Sequence, residues 1–226
     1  EGWVPVENDA EVQKLLEESG VYYEMRSAEK EDNAPIKLKN GKFSRAFEML
    51  TKMYGLPDYG EFDPTPLLAP FYALFFGMCV GDAGYGLLLV LLGLYLKKKL
   101  SKSMAGLMNL LITLGVATTV VGALFNTFFG AALTDWNLPE WMNSLIVSGK
   151  WDGTAYDKTM VIALLVGMFH ICFAMTVKSI GATVRYGFKN ALSEWGWLLL
   201  VGGSVVVATL TYLGVMDMEM SKMVFI

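Results

Sequence analysis

The sequence predicts an all-α polytopic membrane bundle of about five spans, the first two forming a short hairpin, preceded by a small α+β soluble segment. Three observations lead there. Apolar residues make up 54% of the chain, and the mean hydropathy is +0.43. These residues gather into runs too long for ordinary core elements. The charges lie mostly in the first sixty-odd residues or in short interruptions between apolar runs. Two regions in different solvents follow: residues 1–64 in water, and residues 65–226 in the membrane.

Taken in order, Gly2–Val6 (GWVPV) reads as a short strand. Asn8 or Asp9 then caps a helix that has Val12, Leu15 and Leu16 on one face. Val21–Arg26 (VYYEMR) suits a second strand, and the charged stretch Glu29–Lys42 reads as a loop. Phe43–Tyr54 has an apolar helical face of Phe43, Phe47, Leu50 and Met53. Such a helix suits either a membrane surface or an ordinary core. Pro57, Pro64, Pro66 and Pro70 then punctuate the approach to the membrane, where extended and first-turn positions accommodate proline.

The first apolar run, Pro66–Leu96, would make a straight helix of roughly 45 Å, well beyond the roughly 30 Å hydrocarbon core. Near its middle stands Gly81-Asp82-Ala83-Gly84-Tyr85-Gly86, flexible residues around a carboxylate, which breaks the run into two short spans. Further spans are expected at Met104–Leu133, Met160–Val177 and Trp195–Met216. The hairpin puts two basic clusters and the N-terminal segment on one side. The clusters are Lys97, Lys98, Lys99 and Lys102, and Lys178, Arg185 and Lys189. The opposite loop, Thr134–Lys158, carries Asp135, Glu140, Asp152 and Asp157. This is the asymmetry expected of a cytoplasmic N-terminal segment.

Several function classes are set aside. The chain has a formal charge of −4 and no Lys/Arg stripe interleaved with aromatics, which argues against nucleic acid as a partner. Cys79 and Cys172 sit inside apolar runs, where cysteine acts as a small hydrophobe. No zinc spacing, phosphate loop, nucleophile elbow or catalytic carboxylate pair occurs, so neither metal, cofactor nor ATP hydrolysis is expected here. The chain opens at Glu1 without methionine or signal peptide and stops just after an apolar run, and it reads as part of something longer.

Four polar residues are candidates for an ion path or polar network. Asp82 is the foremost, because a carboxylate beside hydrocarbon needs a partner, a proton or water. It either shapes an aqueous path or caps a helix by accepting from the backbone of residues 84–86. Under the hairpin topology Lys158 approaches the same face, and an ion pair between the two is one expectation. His170 lies mid-span, where its ring serves either a proton relay or a hydrogen bond between helices. Glu194, beside Trp195 and Trp197, marks either a cytoplasmic mouth or an interfacial belt. Gly81, Gly84, Tyr85 and Gly86 form the expected turn. Gly77, Gly122 and Gly130 are expected with these glycines to permit close helix approach.

The run Met53–Gly86, MYGLPDYGEFDPTPLLAPFYALFFGMCVGDAGYG, resembles subunit I, or subunit a, of V-type and archaeal A-type rotary ATPases at the point where that subunit enters the membrane. GWVP at Gly2–Pro5, GALFNTFFG at Gly122–Gly130 and GMFH at Gly167–His170 extend the resemblance, in order, along essentially the whole chain. It implies a stator whose cytoplasmic arm joins peripheral stalk subunits and whose membrane domain faces a proteolipid (c/K) ring across the lipid bilayer, with protons or sodium ions crossing between the two. The family's essential arginines lie on later helices. Arg185 sits between spans, does not match that position, and is given no such role. No Asn-x-Ser/Thr sequon occurs, which suits a bacterial or archaeal plasma membrane. The alternatives are an independent secondary transporter, for which no inverted repeat is visible, and a purely structural membrane anchor.

Overall fold

The computed structural model describes residues 2–29, 32, 34–57, 61–101, 104–151 and 155–212. The expectations at Lys102, at Asp152 and for the last turn of the final span (213–216) lie outside these residues. The protein is mostly helical and falls into two compact units, Glu1–Val121 and Gly122–Ile226.

In the first unit, Pro5 fixes extended backbone before a short 3₁₀ turn, Val6–Asn8, which leads into α1 (Asp9–Glu18). Asp9 and Glu11 in its first turn suit the positive end of the helix. The two strands expected at Gly2–Val6 and Val21–Arg26 do not form. A strand exists only by pairing, and neither segment enters a ladder among the described residues. The described residues of this N-terminal segment are therefore helix and loop rather than α+β. Exposed ion pairs tie the loop: Lys39 to Glu7, and Arg26 in a two-point bond to Asp32 at 2.7–2.8 Å.

The helix expected over Phe43–Tyr54 is interrupted. It forms α2 (Lys42–Arg45) and α3 (Glu48–Tyr54), with the chain turning at Ala46 and Phe47. Phe47 is fully buried, and its ring meets Tyr72 edge-on at 6.1 Å. Burial of that one ring fixes the bend.

The long apolar run divides where glycine and a carboxylate interrupt it, giving α4 (Thr65–Val80) and α5 (Ala83–Lys99). Gly81 closes α4 with φ +60°, a left-handed cap that costs glycine little. The third long helix, α6 (Ala105–Leu124), lies against both. Ala69 and Ala73 of α4 share a buried cluster with Leu110 and Leu114, while Gly77 faces Ala117 and Val121. Residue numbers rise together along this seam, so α4 and α6 run parallel. On the other seam Gly86 faces Thr119 and Gly93 faces Ile112, so α5 runs antiparallel to both. Residues 65–99 are thus a helical hairpin laid along α6.

The span expected to continue to Leu133 ends at Leu124. Asn126 (φ +65°) and Phe129 (φ +50°) cannot continue a right-handed helix, and the chain turns into a small antiparallel pair, β1 (Thr127–Phe128) and β2 (Ala131–Ala132). A short α7 (Glu140–Asn143) follows in the loop. In this second unit, α8 (Lys158–Tyr186) extends nine residues beyond the expected end at Val177, and α9 (Leu192–Tyr212) folds back along it after Gly187 (φ +80°). Among the described residues three helices are long and apolar enough to cross a membrane: α6, α8, and α9 from Leu192 to Thr211. Among the described residues almost nothing in the apolar stretches of α8 and α9 is fully buried.

Candidate functional site

The hairpin turn is the first candidate. Asp82 is 5% exposed, and its Oδ1 accepts the N–H groups of Gly84 (2.8 Å) and Tyr85 (3.2 Å). It is the N-cap of α5, so two of the helix's four orphan donors are satisfied by its carboxyl oxygen. Gly84 and Gly86 are buried beside it, and Tyr85 is 54% exposed. The glycines are there because of α6. A Cβ on Gly86 would stand 2.6 Å from Thr119 Oγ1, one on Gly93 2.7 Å from Ile112, and one on Gly115 2.8 Å from the Val90 nitrogen. At Gly86 and Gly115 backbone meets backbone, and at Gly93 the Ile112 side chain fills the place of a Cβ. Gly122 is buried in the second unit. Gly130 (φ +78°) occupies the β1–β2 turn with nothing within 4 Å of a Cβ, so it serves the turn and not the approach of helices.

Lys158 opens α8, its N–H donating to Gly149 O at 3.0 Å. It belongs to the second unit and Asp82 to the first. His170 lies within α8, partly buried, between Phe169 and Phe173, whose rings stack at 6.3 Å. Glu194 forms a salt bridge with Lys178 at 3.0 Å. One turn further along α8, Trp195 Nε1 donates to Thr183 Oγ1 at 2.9 Å. Two polar links therefore close the α8–α9 hairpin near its turn. Between them, Ser179 is 1% exposed, and its Oγ has no hydrogen-bond partner among the described residues. Also among the described residues, no group of three or more His, Cys, Asp or Glu side chains is arranged to hold a metal ion.

One polar cluster escaped the sequence reading. Asp63 accepts from Thr65 N (2.9 Å), Thr65 Oγ1 (2.6 Å) and Asn40 Nδ2 (2.7 Å). With the Thr65 hydroxyl donating to Asp63, its oxygen is free to accept from Thr51 Oγ1 at 2.7 Å. Asn40, Thr51 and Thr65 are all buried. Burial alone would raise the Asp63 carboxyl, but the bonds from Thr65 and Asn40 outweigh it and hold the group below its ordinary range. The signal was present: Asp-x-Thr just ahead of an apolar run is a helix-start pattern.

The chain resembles known proteins along almost all of its length. The V-type ATPase 116kDa subunit family matches residues 1–159. A-type ATP synthase subunit I of Pyrococcus horikoshii is 36% identical over 96% of this chain and 33% of its own length. The subunit of the same name from Methanocaldococcus jannaschii is 39% identical over 58% of the chain and 20% of its own length. V-type ATP synthase subunit I of Borreliella burgdorferi is 25% identical over 89% of the chain and 34% of its own length. The chain thus spans about a third of the length of the first and last of these relatives and a fifth of the second. A family match over more than half of the residues, spanning the helical hairpin and α6, places this chain in the V-type ATPase 116kDa subunit family.

Proposed function

We propose that the chain is the first half of the membrane domain of a rotary ATPase stator subunit, together with the last part of its cytoplasmic arm. The observation that carries this reading is the hairpin of α4 and α5 laid along α6. It supports five spans, α4, α5, α6, α8 and α9, with the boundary between arm and membrane near residue 64. In that topology the N-terminal segment, Lys97–Lys99, and the Lys178, Arg185 and Lys189 cluster share the cytoplasmic face of a bacterial or archaeal plasma membrane.

The work of this half is positional and non-catalytic. Glycine-mediated contact between α5 and α6 makes a stiff block, because closely approached helices leave little room for side chains to rearrange. Such a block holds later helices against a proteolipid ring while protons or sodium ions cross at the interface, and the arm passes the reaction torque to peripheral stalks. Asp82 serves as the cap that sets the hairpin. His170 and the Lys178–Glu194 pair supply polar groups in α8 and α9 from which an ion path can be built.

The deciding experiment is purification of the tagged full-length parent protein in mild detergent, with mass spectrometry of what accompanies it. Recovery of a proteolipid and stalk subunits is expected. Recovery of the protein alone, intact and monodisperse, would overturn the stator reading in favour of an independent transporter.

A further inference from the structure

We infer that residues 42–54 form a wedge that dips into the lipid at one end of the first unit and seats among anionic headgroups. The depth is set by contacts along α4. Asn40 bonds Asp63, just before α4 begins, and Thr51 bonds Thr65, its first residue. Between them the chain descends and returns, because Ala46 and Phe47 pack at the level of Ala69 and Ala73 of α4 and Leu110 and Leu114 of α6. Tyr72, which Phe47 touches, is seven residues beyond Thr65, about 10 Å along the helix axis. The break between α2 and α3 is the tip of this descent.

The level of the membrane follows from the same bundle. α4 has sixteen residues, about 24 Å, which is already short of a roughly 30 Å hydrocarbon core and leaves no turn to spare in water. α5 is antiparallel to α4, so its terminal Lys97–Lys99 stand beside the start of α4 and mark the headgroup zone. The tip of the wedge therefore lies below the lysines, within the 5–10 Å at which interfacial helices bury their apolar faces, to order of magnitude.

The wedge surface fits that place. Phe43 is 47% exposed and Met53 73% exposed, which wastes apolar area in water but fills acyl-chain space in lipid. Lys42, Arg45 and Lys52 are exposed along the same thirteen residues, a charge complement to anionic headgroups.

The test uses the full chain with Cys79→Ser and Cys172→Ser, a fluorophore at a single introduced cysteine, and vesicles of phosphatidylcholine with phosphatidylglycerol. Some of the lipids carry a spin label near the headgroup or at the chain end. Probes at Phe43→Cys and Met53→Cys are expected to be quenched by the headgroup-proximal label, at least about threefold more than one at Tyr22→Cys in the soluble segment. A probe at Val116→Cys in α6 should respond to the chain-end label. The wedge is overturned if positions 43 and 53 both behave like position 22 while position 116 is quenched; an unquenched position 116 overturns it together with the membrane placement. Combining Lys42→Glu, Arg45→Glu and Lys52→Glu should reduce quenching at position 53 in the anionic vesicles, and no change would overturn the part given to headgroup charge.

Discussion

Asp82 and Asp63 are two carboxylates doing similar local work for different helices. Asp82 accepts two backbone N–H groups at a helix start and Asp63 accepts one, so each pairs donors that a helix start would otherwise leave open. Asp82→Ala removes the acceptor and should lower stability by about 1 kcal/mol, whereas Asp82→Asn keeps an oxygen and should lose less than half of that. Thermal unfolding of the purified chain in detergent, followed by circular dichroism, ranks the two. Equal losses would show that the charge itself matters beyond the cap. For Asp63 the sign is fixed by its lowered folded value. The unfolded chain takes up a proton more readily than the folded one, so the stabilisation is complete above about pH 4 and is lost as pH falls through the folded value. Asp63→Ala should therefore flatten the acid limb of the unfolding midpoint against pH. Glu7 and Asp32 are also held low, by hydrogen bonds from Lys39 and Arg26 respectively. Those exposed pairs are screened by salt, so the Asp63 difference should persist at high ionic strength.

At the scale of elements, the glycines of the α5–α6 seam are the sensitive points. Gly86→Val forces a branched side chain against Thr119 and should cost about 1–3 kcal/mol by overpacking, whereas Gly106→Ala, in open space, should be near neutral. A comparison of unfolding midpoints checks this, and matched values for the two would overturn the close-contact seam. The break between α4 and α5 was legible in the sequence, because Gly-Asp-x-Gly-x-Gly in the middle of an overlong apolar run leaves few other solutions, whereas Gly93 and Gly115 of the seam carry no such local pattern. The strands were not, since strand formation depends on a partner that local pattern cannot supply. Nor was the α2–α3 break, because Phe47 fits the helical periodicity and only its burial between α4 and α6 shows why the chain must bend there. The end of α6 was hidden for a related reason. Apolar residues continue past Leu124, and only the positive φ of Asn126 and Phe129 reveals the turn.

For the whole molecule, the helices give a direction and the lysines give a side. Lys97→Glu, Lys98→Glu and Lys99→Glu together should weaken the proposed cytoplasmic placement of the N-terminal segment. Reaction of Tyr22→Cys with a membrane-impermeant maleimide, in vesicles of both orientations, would change from one-sided to mixed. Unchanged one-sided labelling would show that another feature fixes the topology. Membership of the family was legible from residues 53–86, but the candidate ion-path residues were less so, because polar groups in a membrane acquire their roles from neighbours the sequence does not display. The length of α8 carries a last consequence. Lys158 at its start and Lys178 within it are twenty residues apart, about 30 Å, so the apolar stretch they bracket matches one bilayer thickness and the remaining turns to Tyr186 stand clear of it. The helix is in effect a gauge with two charged marks. In a bilayer thinner than that stretch the helix has to lean to keep its apolar residues out of water, and through the Lys178–Glu194 link α9 has to lean with it, so lipid thickness becomes a setting for the angle of this pair.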